Sequence, residues 1–333
     1  MEPLILAGDV GGTKIVLACF SPEQGPLNPV LEKIYPTTEH TNFETIVSEF
    51  LGDRAGQIGA ACFGVAGPVK GGEVEMINVP WRVISETSLR QHLKIEKVEI
   101  INDMIAMAYG ALALPEDRFM VLNPGSGDAR GNAALVAAGT GLGEAMLYWD
   151  GRRWLPSPSE GGHVDFGPTC ELEDKLLRYM RKIFGRISVE RICSGPGIHF
   201  IYKFLRDTGR GEEPAWLTER MAREDPSAVI SELALAGQSP LCERTIELFV
   251  QIYGTEAGNM ALKVLATGGV FIGGGIAPKI LPKMQSGLFM EGFKNKGRFD
   301  EIMEKIPVRV ILDAKAPLYG AAYHAMQMLR GEL

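Results

Sequence analysis

Short apolar runs alternate with amphipathic stretches along the whole chain, and their order predicts an α/β protein. Residues 4–10 form an apolar run that ends in Asp9-Val10-Gly11-Gly12-Thr13, and a second run at 15–20 follows at once. Two strands joined across paired glycines predict a tight hairpin. A third strand at 30–35 precedes a stretch that is apolar at Phe43, Ile46, Val47, Phe50 and Leu51, the spacing of a helix over 43–51. Strands at 58–65 and 98–101 flank a short helix over 86–93. Asn102-Asp103 closes the later strand, and an Ala- and Met-rich helix begins there.

The second half repeats this opening. Residues 133–138 form an apolar strand, Gly139-Thr140-Gly141-Leu142-Gly143 a glycine hairpin, and 145–149 the returning strand. A long helical region is expected over 171–205, broken at Gly185 and at Ser194-Gly195-Pro196-Gly197. Helices over 225–235 and 242–265 lead to a strand at 270–272 that ends in Gly273-Gly274-Gly275 at a strand-to-helix junction. A strand at 308–312 and a closing helix over 317–329 complete the chain. Each half therefore starts strand, glycine hairpin, strand, which reads as a structural duplication. Two such α/β lobes facing each other would leave a cleft between their hairpins, where a nucleotide can sit.

Composition narrows the class. A length of 333 residues, with 46% hydrophobic and 23% charged residues, suits two packed domains. The net charge of −7 argues against a broad nucleic-acid-binding surface, which needs a basic stripe. It does not argue against a polyphosphate, which backbone N–H groups and a metal ion can hold. The N-terminal residues show no signal-peptide pattern, and no apolar run reaches the length of a membrane span. Five scattered cysteines without a Cys-x-x-Cys pair suit reduced thiols and predict a cytoplasmic protein.

The candidate chemistry lies at the ends of the predicted strands. Paired glycines can take positive φ and let a phosphate approach the main chain, so Gly11, Gly12 and Thr13 form one candidate phosphate loop and Gly139, Thr140 and Gly141 another. Gly273, Gly274 and Gly275 would let an adenine or ribose lie against the backbone. Asp9 can hold Mg²⁺ through water. Each glycine group alone is also compatible with a purely conformational role. No Gly-x-x-x-x-Gly-Lys-Ser/Thr pattern occurs, and 139–143 sits between two strands, so neither common nucleotide fingerprint applies.

Asp103, at a strand end, can orient an alcohol and take its proton during phosphoryl transfer, or it can merely cap the following helix. Glu160 and His163, brought together by the flexible Gly161-Gly162, can grip adjacent sugar hydroxyls or belong to a metal site. Glu190-Arg191 can be a further polar contact or an ordinary exposed helix start.

Taken together these segments resemble the bacterial glucokinase family of ATP-dependent sugar kinases. The matching stretches are 8–13, 100–103, 139–143, Glu160-Gly161-Gly162-His163-Val164-Asp165-Phe166, 189–191 with 194–197, and 269–276, in family order over nearly the whole chain. The resemblance implies the duplicated actin-like ATPase (ribonuclease H-like) fold, with residues 1–113 and 313–333 in a small α/β domain and 114–312 in a larger α+β domain. It implies transfer of phosphate from ATP to the 6-hydroxyl of glucose, with Asp103 as general base. Asn102, Gly141, Glu160, His163 and Glu190 are then glucose contacts, in a homodimer whose cleft closes around the sugar.

Two features depart from the family pattern. Lys14 follows Thr13, as in the related repressor and kinase superfamily called ROK, although the zinc-binding cysteines of that group are absent. Asn78-Val79-Pro80-Trp81 also has unusual surroundings. The alternatives are a kinase for mannose, fructose or an N-acetylhexosamine, a sugar sensor, or an actin-like assembly module. A DNA-binding regulator would need a helix-turn-helix before Asp9, where the sequence leaves no room for one.

Overall fold

In the computed structural model, which describes residues 2–76, 79, 81, 83–126 and 130–333, the first strand sets the layering. β1 (Leu4–Val10) turns Leu6 and Val10 to one face of its sheet and Ile5 and Ala7 to the other, and both faces are buried. A strand apolar on both sides has to be covered on both sides.

β2 (Lys14–Phe20) returns antiparallel, and β3 (Pro29–Pro36) pairs antiparallel with it. α1 (Phe43–Leu51), β4 (Ile58–Val65), a small sheet of β5 (Val69–Lys70), β6 (Glu73–Glu75) and β7 (Val83–Ser85), α2 (Glu86–Leu93), β8 (Val98–Asn102) and α3 (Asp103–Ala113) follow. The second half contains β9 (Phe119–Asn123), β10 (Ala133–Ala138), β11 (Leu142–Trp149) and β12 (Trp154–Ser159). Then come α4 (Glu171–Phe184), α5 (Gly195–Asp207), α6 (Ala215–Met221), α7 (Pro226–Leu235), α8 (Pro240–Val264), β13 (Gly269–Gly273), α9 (Leu281–Met284), α10 (Leu288–Lys294), α11 (Asp300–Lys305), β14 (Val308–Ile311) and α12 (Ala316–Arg330).

Met1–Arg118 and Asp313–Leu333 form one compact unit, and Phe119–Leu312 the other. The first unit's sheet runs β3-β2-β1-β4-β8, the second's β12-β11-β10-β13-β14-β9. In both, two antiparallel pairs are followed by two parallel ones, so five strands correspond and β9 is an antiparallel addition at one edge. The duplication expected from the glycine hairpins is therefore present in the strand order itself.

In the first unit one apolar layer joins the sheet to Phe43, Ile46 and Phe50 of α1 and Leu89 of α2; the other joins it to Leu318, Ala321, Ala325 and Met326 of α12. The second unit's core packs Val136, Ile272 and Val310 of the sheet with Phe249 and Tyr253 of α8 and Phe289 and Phe293 around α10.

Several sequence expectations need correction. The returning strand β11 starts at Leu142 rather than Ala145, because Gly143 already pairs with Ala137. The helical region over 171–205 is two helices separated by ten extended and turning residues. α4 stops at Phe184, where Gly185 takes φ 73°, and α5 starts at Gly195 under the Ser194 cap. Gly273-Gly274-Gly275 leads into a turn, not directly into a helix, since α9 begins only at Leu281. β9, β12, α6 and the short helices from α9 to α11 lack a clean apolar period and go unrecognised in the sequence.

α3 and α12 approach unusually closely. A Cβ on Gly110 would run into the carbonyl of Ala316, and one on Gly320 into the carbonyl of Ala106. Gly320→Val should therefore force the two helices apart and cost about 1–3 kcal/mol. Chemical denaturation with a midpoint unchanged within error would refute that contact.

Candidate active site

β1, β4 and β8 are parallel neighbours, with Asp9 opposite Gly64 and Gly64 opposite Ile101. Their C-terminal ends thus bring Asp9 and Asn102-Asp103 to one edge of the first unit's sheet, the edge where open α/β sheets bind ligands. Gly64 lets α3 come close: a Cβ there would stand 2.6 Å from that of Ala106. The helix cap is Asn102, whose Oδ1 accepts from Met104 N at 2.9 Å while its Nδ2 donates to the carbonyl of Gly67 at 3.0 Å. Asp103 is the first helical residue, and its Oδ1 also accepts from Met104 N, at 2.9 Å.

Burial first, and then the charge of Asp103, raise the Asp9 carboxyl to a pKa of about 6; Lys14 opposes this weakly. Two carboxylates set against each other at a strand edge are hard oxygen donors of the kind Mg²⁺ takes. This ion binds through one or two carboxylates plus phosphate oxygens and needs no larger protein cluster. The donor set fits the ion.

The loop of Gly11, Gly12 and Thr13 is pinned from below. The Thr37 hydroxyl donates to the carbonyl of Gly11 at 3.2 Å, Thr37 N donates to that of Thr13 at 3.2 Å, and Trp81 Nε1 donates to that of Thr37 at 3.2 Å. Neither Gly11 nor Gly12 takes the positive φ expected of it. What glycine provides at Gly12 is open space, since nothing lies within 4 Å of where a Cβ would be. Asn78, singled out in the sequence, lies outside the described residues.

In the second unit the structure assembles four of the predicted residues. Glu190 N donates to the carbonyl of Gly162 at 2.9 Å and Val189 N to that of Val164 at 3.0 Å, so the segment after α4 is stitched to the loop Glu160–His163. The Arg186 guanidinium adds bonds of 2.7 Å to Asp165 and to the carbonyl of His163. Glu190 is consequently no exposed helix start. Its Oε2 accepts from Leu142 N at 3.1 Å and would lie 2.5 Å from a Cβ on Gly141. His163 stands between two acids, with Nε2 3.8 Å from Glu160 and Nδ1 3.8 Å from Glu190. Glu160 and His163 are exposed, so their polar ends are available to a ligand. Gly161 and Gly162 are present for close packing rather than for flexibility: a Cβ on the first would strike the Glu144 carboxylate, and one on the second the carbonyl of Leu142.

A cavity of about 830 Å³ lies in the same unit. Gly139 and Thr140 of the hairpin line it, with Gly195, His199, Asp225 and Ser227. Of Gly273, Gly274 and Gly275 only the last reaches it. Gly274 instead takes φ +81° and turns the chain against the carbonyl of Ala138. At Gly139 nothing stands where a Cβ would be, while its N–H and carbonyl are bonded at 2.8 Å to Gly141 O and Gly195 N. Burial, helped by Lys203 and Arg206, holds His199 below its usual pKa, so it is neutral near pH 7. No motif marks His199, Asp225 or Ser227 in the sequence, because α5 supplies the first and the start of α7 the other two.

The sequence matches the family model described as Glucokinase over residues 6–328. The chain belongs to the Glucokinase family. It is 40% identical to the glucokinase of Synechocystis sp., over 97% of this chain and 98% of that protein. It is 37% identical to that of Psychromonas ingrahamii, over 99% of both. Among solved structures, glucokinase from an Antarctic psychrotroph is 30% identical, with 98% of this chain and 99% of that one covered and a TM-score of 0.85. The fold is the duplicated actin-like ATPase fold of these sugar kinases. Family membership selects sugar phosphorylation over assembly for the chain.

The raised Asp9 pKa makes a stability prediction. A carboxyl whose folded pKa lies above its unfolded one contributes fully below the unfolded pKa and loses that contribution as pH rises through about 6. In Mg²⁺-free buffer, Asp9→Asn should stabilise the protein by about 1–3 kcal/mol at pH 7.5 and by about a third as much at pH 4.5. A Tm difference independent of pH would contradict the assignment.

Proposed function

We propose that the protein transfers the terminal phosphoryl group of ATP to the 6-hydroxyl of D-glucose, giving glucose 6-phosphate and ADP. The meeting of Glu160, His163 and Glu190 around Gly141, in a chain of this family, supports the reading most directly. A sugar presents adjacent hydroxyls that both donate and accept, and two carboxylates flanking an imidazole match that pattern. Asn102 and the backbone at Gly141 complete the sugar contacts.

Asp103 accepts the proton of the 6-hydroxyl as its oxygen bonds to phosphorus and the bond from phosphorus to the β–γ bridging oxygen breaks. The N–H groups of Gly12 and Thr13 and of Thr140 are the ones offered to the phosphates, because Gly11 N and Gly139 N already donate to the carbonyls of Lys14 and Gly141 at 3.0 and 2.8 Å. The cavity beside Gly275 is of a size to take the nucleoside. Mg²⁺, when bound near Asp9, neutralises charge on the phosphate oxygens. Glu190 keeps its place through Leu142 N, so the sugar meets a carboxylate whose orientation is already set.

The protein is on this reading a cytoplasmic homodimer serving glycolysis, without nucleic-acid or membrane partners. The net charge of −7 and the absence, among the described residues, of any helix long and apolar enough to cross a membrane support that part. So do its cysteines, all free.

Sugar 6-phosphate formation with Mg-ATP across glucose, mannose, fructose and N-acetylated hexosamines tests the substrate. Strong preference for glucose is expected, whereas preference for another hexose would replace glucose and keep the kinase. Asp103→Asn should lower kcat by about 10²–10⁴ with the fold intact. Near-normal turnover in that variant would remove Asp103 from the chemistry.

A further inference from the structure

Beneath the loop Glu160–His163 lies a carboxyl that the proposed reaction does not use. Glu144, on β11, is 0% exposed, and neither of its oxygens has a hydrogen-bond partner among the described residues. Its Oε2 is packed so closely under Gly161 that no side chain fits there, with Ser159 Oγ on the same side. The Ser159 hydroxyl oxygen accepts from Gly161 N at 3.0 Å, so that oxygen is already holding the loop.

From the other side α8 brings Glu256, 4% exposed, into interaction with Glu144. Two buried carboxylates in contact cannot both be ionised without a large electrostatic cost, and a shared proton removes it. The location of that proton follows from the donors. Glu256 has Asn259 Nδ2 at 2.9 Å and Lys263 Nζ at 3.3 Å, whereas Glu144 has none. Glu144 is therefore the protonated member, and its O–H points to Glu256.

We propose that Glu144 is a positioning residue for sugar binding, a neutral carboxylic acid whose hydrogen bond to Glu256 keeps Gly161-Gly162 seated so that Glu160 and His163 face the sugar. The inference rests on the sugar reading of that loop given above. Loss of the proton would place a second negative charge under Gly161, in a site closed to water, and push the loop off its seat.

The other titratable groups facing the pair are accounted for. Burial raises the pKa of both Cys193 and Tyr253, which stay neutral through the alkaline range. Lys263 and Lys296 lie on the Glu256 side, and burial lowers the pKa of Lys296. Burial and then Glu256 raise the Glu144 carboxyl far above the acid range, to about 8, so its proton is lost in mildly alkaline solution. Asp9, near 6, titrates in a separate window.

The test is the pH dependence of glucose KM and kcat between pH 6.5 and 9.5 at saturating Mg-ATP, in the wild type, Glu144→Gln and Glu256→Gln. In the wild type KM should rise above pH 8 by up to about tenfold per pH unit, with kcat much less affected. Glu144→Gln keeps an N–H donor for Glu256 and should hold KM near the neutral-pH value across the range. Glu256→Gln removes the neighbouring charge and so lowers the pKa of Glu144, should move the rise in KM to lower pH, and serves if the first variant does not fold. A wild-type KM that stays flat, or variants whose KM rises at the same pH as in the wild type, overturn the proposal while leaving the glucose reading intact. No glucose 6-phosphate from the wild type at any pH overturns that reading and the proposal together.

Discussion

The constraint on which the candidate site depends is the exclusion of a Cβ where backbone must pass close to backbone or to a carboxylate. In the first unit Gly110 and Gly320 let α3 and α12 cross at main-chain distance, and Gly64 lets the first turn of α3 lie against the end of β4. That contact holds Asp103 beside the strand end that carries Asp9. In the second unit Gly162 passes over the carbonyl of Leu142, Gly161 over the carboxylate of Glu144, and Gly141 beside that of Glu190. Packing of this kind is stiff, because backbone atoms cannot change rotamer to relieve it. The segments that carry Asp103, Glu160, His163 and Glu190 are therefore held in place largely by the backbone itself.

Acidic residues serve different ends according to what surrounds them. Glu160 is exposed and, among the described residues, pairs with a histidine. Glu190 is fixed by a backbone N–H. Asp9 is half-buried beside a second carboxylate, and Glu144 is sealed away with no donor among the described residues. Burial makes the last two, Asp9 and Glu144, costly to ionise. A chain of net charge −7 can thus keep some of its acids as ligand contacts and spend the cost of burying others on the shape of the loops that carry them.

Much of the architecture is legible in the sequence for local reasons. The strands β1, β4 and β10 and the helices α1 and α2 follow from apolar periods ended by glycine or by a polar cap. The repeated strand–glycine–strand opening reappears as the matching strand order of the two sheets. The elements that go unseen are those whose burial comes from partners remote in sequence. β9 pairs with β14 nearly two hundred residues later, and the extended stretch after α4 is ordered by backbone bonds to residues 162–166. Helical propensity suggests a longer helix there, and those pairings override it.

The sequence by itself determines where the polar chemistry falls along the chain: carboxylates and glycines at strand ends, where the apolar period stops and the backbone meets water. It also makes Glu160, His163 and Glu190 visible as polar residues in glycine-rich surroundings. Only the tertiary structure decides that these three meet, that Asn102 rather than Asp103 is the principal cap of α3, and that Gly161 is demanded by a buried acid beneath it. It alone brings His199, Asp225 and Ser227 to one cavity and sets Glu144 against Glu256. The physical reason is range. Periodicity and capping act over a few residues of chain, whereas desolvation and close backbone contact depend on what the fold brings alongside from far away.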